Sequence, residues 1–161
     1  MMNRVGLKPV LAGAALAATL AGGARADTLR ASDPQSFIDF FFDAGYPAQL
    51  SEDGVGDPFI EFRYNGVIMP LWFYDCVDNA NCQSVQFYFA YSLEEPTSYE
   101  ALNAWNGEER RYTRAYRVDD GVVRLEMDVF TGVDGMSPVD FESLMDLWLD
   151  RLTEFEEFIG W

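Results

Sequence analysis

Glu126 and Asp128 lie two residues apart on one side of a strand-like run. Carboxylates so placed could divide the acid and base roles of glycoside hydrolysis. The chain holds 27 Asp and Glu residues, so such pairs also arise by chance, and a solvated strand face is the plainer reading. Calcium would look for oxygen ligands at Asp53 and Asp57 in a glycine-rich loop, at Asp75, Asp78, Asn79 and Asn81 in a loop between two cysteines, or at Asp119 with Asp120. None of these follows the spaced ligand pattern of an EF-hand. The chain has no histidine, and its only lysine is Lys8. That removes Ser-His-Asp and Cys-His catalysis, most zinc sites and the usual neutral-pH proton shuttle. No glycine-rich phosphate loop or dinucleotide fingerprint is present. The residues therefore assign no catalytic group, no metal and no cofactor.

The densest local cluster runs from Asn103 to Arg117. It contains Trp105, Tyr112 and Tyr116, and Arg110, Arg111, Arg114 and Arg117 fall within eight residues. Arginine beside aromatic rings suits an anion or an acidic peptide. The alternative is internal: the arginines pair with nearby acids while Trp105 and Tyr112 seat a helix on a sheet.

Compartment bears on these readings. Arg4 and Lys8 precede an uncharged apolar run, Val10–Ala21, and Ala24-Arg25-Ala26 closes the stretch in the small-x-small pattern of a cleavage site. A bilayer span needs about 20 apolar residues, so the run reads as a signal-peptide core. Residues 1–26 are expected to be a cleavable leader, with a domain at 27–161 in the periplasm or secreted; a retained N-terminal anchor is the alternative. Arg4, Lys8 and Arg25 leave with the leader and no acid does, so the net charge moves from −16 to −19. Nucleic acid and anionic lipid are poor partners for such a surface. In an oxidising compartment Cys76 and Cys82 read as a structural disulfide closing a short loop, a stabilisation of roughly 2 kcal/mol on chain-entropy grounds. Two free thiols or a redox pair remain alternatives, although the spacing is not Cys-x-x-Cys.

The elements that must position these groups can be read from periodicity. Asp33-Pro34 starts a helix as N-cap and first residue, Phe37, Ile38, Phe41 and Phe42 stripe it, and Gly45 and Pro47 end it near residue 44. Strands follow at 49–51, 59–64, 67–74 and 84–91, with Asn65-Gly66 as a type I′ hairpin turn and Pro70 forcing a bulge or one-sided pairing. Thr97 with Glu100 resembles a capping box for a helix over 98–106. Strands at 112–118 and 122–130 form a half-buried hairpin, with Val123, Leu125, Met127 and Val129 inward. Ser137 caps a final helix striped by Phe141, Leu144, Met145, Trp148, Leu152, Phe155 and Ile159. The expected architecture is α+β, an antiparallel sheet with helices packed on one face.

Gly45-Tyr46-Pro47, the cysteine hairpin, Asn103-x-Trp105-Asn106 followed by Arg111-Tyr112-x-x-Ala115-Tyr116, the Glu126-Met127-Asp128 strand and the closing Phe158-Ile159-Gly160-Trp161 together resemble the YbjN-like family of bacterial proteins. The resemblance runs through the whole of 27–161. It implies a fold similar to type III secretion chaperones and a label of sensory transduction regulator, which names no reaction and supplies no catalytic residues. A leader sets this chain apart from a cytoplasmic regulator. Aromatics on both sides of the strands (Trp72 and Tyr74 opposite Leu71 and Phe73, Tyr88 opposite Phe87 and Phe89) exceed what one helix layer can cover. The expected function is a non-catalytic binding module, monomeric or a homodimer, that holds a protein or peptide partner through Trp72, Tyr74, Tyr88, Trp105 and the four clustered arginines. A carboxylate-dependent envelope hydrolase and a ligand-free structural or stress protein are the competing expectations.

Overall fold

A computed structural model describes residues 28–107, 110–118 and 121–161. The expected leader, its expected cleavage point and the Asp119-Asp120 pair lie outside the described residues. The order is α1 (Pro34–Asp43), β1 (Ala48–Glu52), β2 (Pro58–Tyr64), β3 (Val67–Tyr74), β4 (Ser84–Ser92), α2 (Tyr99–Gly107), β5 (Arg114–Arg117), β6 (Val122–Phe130) and α3 (Pro138–Ile159). The six strands form one antiparallel sheet in the order β1-β2-β3-β4-β6-β5. The class is α+β, with three helices among the described residues.

The helices bury one face of the sheet. Phe37 and Phe41 of α1, Phe141, Met145, Trp148, Leu152 and Phe155 of α3, and Leu102 and Trp105 of α2 are all buried. They meet alternate strand residues such as Ile60, Phe62, Leu71, Phe73, Val85 and Phe87. Phe41 stacks on Phe62 at 4.5 Å, and Phe87 lies between Phe141 at 5.5 Å and Trp148 at 5.8 Å. Trp105 meets Phe155 edge-on at 4.8 Å, which joins α2 to α3 over the same face. Each such ring buries a large apolar area, and offset or edge contacts add about 0.5–1.5 kcal/mol.

Local chemistry explains the boundaries. Asn65 and Gly66 both take positive φ, 47° and 84°, as a type I′ turn requires. Pro70 sits where β3 pairs with β2 through Glu61, while the pairing to β4 begins only at Leu71. The pairing is therefore one-sided there, and the missing donor faces no partner strand. Ser137 accepts from Asp140 N at 3.1 Å as the cap of α3.

Two caps differ from expectation. Asp33 makes no side-chain cap bond. Its carbonyl instead accepts from Ser36 N at 3.0 Å, and also from the Ser36 hydroxyl. For α2 the cap is Ser98 rather than Thr97: Ser98 Oγ accepts from Ala101 N at 3.1 Å, and Leu102 N reaches Ser98 O at 3.1 Å. The helix therefore begins at Tyr99, one residue later than expected. β5 is also shorter than the expected 112–118, because Tyr112 takes φ 75° and turns the chain off the sheet edge.

Candidate functional site

Among the described residues, the opposite face of the sheet carries no helix. Along β3 burial alternates so that Met69, Leu71 and Phe73 are enclosed while Trp72 is half-buried and Tyr74 exposed. Cross-strand register then builds rows on the open face. Tyr74, Ser84 and Phe130 form one, Trp72, Gln86 and Asp128 the next, and Tyr88, Glu126 and Arg114 a third. These residues with Asp75, Tyr116 and Arg124 line a shallow depression of about 760 Å³.

A polar network organises its floor. Arg114 Nε and Nη2 meet Glu126 Oε2 at 2.9 and 2.8 Å, and Arg114 Nη1 meets Asp128 Oδ2 at 2.9 Å. The Tyr116 hydroxyl donates to Glu126 Oε1. Gln86 Nε2 donates to Asp128 Oδ1 at 2.7 Å, and its Oε1 accepts from Tyr74 at 3.4 Å. The Arg124 guanidinium lies 5.6 Å from the Tyr88 ring centre and 6.0 Å from that of Tyr116. Trp72 packs against Phe59 at 4.5 Å and Tyr88 at 6.1 Å.

Electrostatics follow from this packing. Burial raises the Tyr116 hydroxyl above its ordinary value, and its hydrogen bond to Glu126 adds to the rise against the opposing Arg124. A protonated Tyr116 is the state that can donate to the carboxylate. Burial pulls Arg114 down, but the hydrogen bond to Glu126 and the charges of Asp128 and Glu126 outweigh it, so the guanidinium is held more strongly cationic.

Glu126 overturns the expectation of a solvated strand face. It is only 4% exposed. Both of its oxygens are occupied, and it shares Arg114 with Asp128, its candidate catalytic mate. The pair is thus a brace for one guanidinium. The clustered arginines do not make one site. Arg114 joins the open face, whereas Arg110 lies 4.1 Å over the Trp105 ring and 4.0 Å from Glu154 on the helix side. Arg117 lies 3.9 Å over Tyr99 and donates to Thr97 O at 3.3 Å, tying the start of α2 to β5. Arg111 is exposed, as is Tyr112, while Trp105 is fully enclosed. Of the residues singled out from the sequence, Trp72, Tyr74, Asp75, Tyr88, Arg114, Glu126 and Asp128 come together. Gln86 and Arg124 were missed, and Tyr116 was read only as part of the arginine cluster; the alternation of β4, β5 and β6 places them on the same face.

The cysteine loop borders the depression. Cys76 and Cys82 are joined, with S–S 2.08 Å. The loop bends tightly, with positive φ at Asp75, Asp78, Asn79 and Asn81. Asp75 Oδ2 accepts from Ser84 at 2.9 Å. Asn79 Nδ2 donates to Asp57 Oδ1 at 2.9 Å and to Val55 O at 3.0 Å, while Asp53 Oδ1 accepts from the amides of Val55 and Asp57. These loop oxygens are answered by local donors. Among the described residues no group of three or more His, Cys, Asp and Glu is placed to hold a metal ion.

The described residues form a helix layer on an antiparallel sheet whose other face is aromatic and covered by no described helix. Residues 35–161 match the family described as YbjN, a putative bacterial sensory transduction regulator. The chain belongs to the YbjN family. No curated protein matches it. Among the described residues no helix is long and apolar enough to cross a membrane.

Proposed function

We propose that this YbjN-family protein is an exported, non-catalytic regulatory module that binds a protein or peptide partner through the open face of its sheet. The observation that carries the reading is the sheet face that no described helix covers. There Trp72, Tyr74, Tyr88 and Tyr116 surround a prearranged Arg114–Glu126–Asp128 network. A rigid, partly apolar surface with fixed polar groups binds with little ordering cost. The family's description as a regulator agrees with a role in binding. The leader-like residues 1–26 and the Cys76–Cys82 bridge support a location in the cell envelope.

Site-directed photocrosslinking in bacteria producing the full chain tests this. A photoreactive residue at Tyr74 should give a discrete adduct that vanishes in a Trp72→Asp background. The same probe at Phe42, which is 80% exposed on α1, should not give it. Identical adducts from both positions, or none from Tyr74, would count against a binding face and favour a structural protein without a partner.

A further inference from the structure

β6 is longer than the strand beside it. β4 pairs with β6 over its whole length, from Val122 to Phe130, but β5 reaches only Val123–Glu126. Beyond Arg114 the chain leaves the edge at Tyr112. Among the described residues, Met127–Phe130 are therefore paired on the β4 side alone.

Alternation identifies the groups left there. Thr131 N donates to Gln83 O at 3.1 Å on the β4 side, and Val118 N donates to Val122 O at 3.0 Å on the β5 side. In an antiparallel ladder the N–H and C=O of one residue point the same way, and the next residue reverses them. By that count the backbone groups of Asp128 and Phe130 point to the edge that β5 does not reach. Phe130 is 67% exposed, and the Asp128 side chain is 54% exposed.

Charge selects the occupant. Glu126 and Asp128 share the single Arg114 guanidinium, which leaves that trio one negative charge in excess. Asp75 stands one residue beyond Tyr74 and accepts from Ser84, a neutral donor. The aromatic faces of Tyr74 and Phe130 flank Ser84 in the same row. The chain as a whole carries −16, a field that draws in cations and repels acidic segments. Aromatic faces beside carboxylates suit lysine or arginine side chains.

We propose that this edge takes an extended lysine- or arginine-bearing segment of the partner protein. Its backbone adds to β6 at Asp128 and Phe130. Its basic side chains meet Asp128 and the ring of Phe130, while Tyr74 and Asp75, two strands further in, add to the cation-attracting potential. The assignment rests on the reading that the open face binds a peptide, and it names that peptide's chemistry and pose.

Fluorescence anisotropy with defined probes tests it. A labelled hexapeptide of alternating lysine and valine should bind the full-length protein, and binding should weaken at least tenfold between 20 and 300 mM salt. Its glutamate–valine counterpart should not bind. Methylating alternate backbone nitrogens on the side that faces β6 should weaken the lysine probe at least tenfold without altering its charge. The Asp75→Asn, Asp128→Asn double variant should lose at least tenfold, whereas Glu94→Gln, Glu95→Gln, an equal charge change elsewhere, should not. Phe130→Lys adds a second route to the same loss at a position that braces nothing. Equal binding of the methylated probe, or equal losses in both double variants, would mean nonspecific attraction to an acidic protein and overturn the assignment. A Tyr74 crosslink in cells without any preference for the lysine probe would remove the cationic chemistry and leave the binding face standing.

Discussion

Glu126 and Asp128 look alike in the sequence and differ in what they hold. Glu126 exposes 5% of its side chain, Asp128 54%. Glu126→Gln leaves Arg114 and Tyr116 with a poorer acceptor in a dry setting and should cost about 2 kcal/mol. Asp128→Asn loses a solvent-screened contact and should cost under about 1 kcal/mol. Urea unfolding of the two variants checks the order. Alternation in β6 was enough to place both residues on the face away from Val123 and Leu125. The burial of Glu126 was not legible, because it depends on Arg114 and Tyr116 arriving from another strand in a particular register. Tyr91 provides a separate measurement. It is fully buried, donates to Glu156 Oε1 at 3.2 Å, and is held far above the ordinary tyrosine value, by burial first and by the Glu156 charge second. Below about pH 10 both folded and unfolded chains keep this proton and stability is constant. Above it the unfolded chain releases the proton while the folded chain retains it. Stability therefore falls with rising pH, by up to about 1.4 kcal/mol per unit from this group. Tyr91→Phe should flatten part of that alkaline slope. Tyr46, Tyr74 and Tyr116 are also raised and add to the slope in the same direction.

Helix ends test the same physics at the next scale. Ser137→Ala should destabilise by about 1 kcal/mol because it removes an observed cap. Asp33→Ala should fall within about 0.5 kcal/mol, because the Asp33 side chain caps nothing. Thermal unfolding separates the two. The cysteine loop makes a second comparison: reduction, or Cys76→Ser with Cys82→Ser, should lower stability by roughly 2 kcal/mol. Guanidinium titration with and without a dithiol reductant measures it. Most elements were legible, since β2, β3, β4, β6, α1 and α3 lie within a residue or two of where periodicity puts them. Strong patterns such as Phe141 to Phe155 survive any tertiary context. The failures are local. The sequence reads Tyr112 as a strand residue, yet it adopts a left-handed conformation that nothing in its side chain announces. Strand alternation puts Arg114 and Arg117 on opposite faces, and the turn at Tyr112 separates both from Arg110 beside Trp105.

For the whole molecule, charge and compartment are linked. If residues 1–26 leave as a leader, the exported protein begins at Asp27 and carries −19. Intact-mass measurement and N-terminal sequencing of periplasmic protein should find that start; an uncleaved chain would undo the envelope location. The α+β class was legible because alternating strands and striped helices demand layers. The make-up of the open face was not, because it is assembled from four strands and its chemistry exists only after folding. That division of the molecule into a covered and an uncovered face also sorts its four tryptophans. Trp105 and Trp148 are sealed in the core, at 0% and 1% exposure, and Trp161 stands near the chain end at 61%. Trp72 alone lies on the open face. The protein therefore carries its own optical reporters, two that register unfolding and one whose emission registers what settles on the sheet, with no label attached.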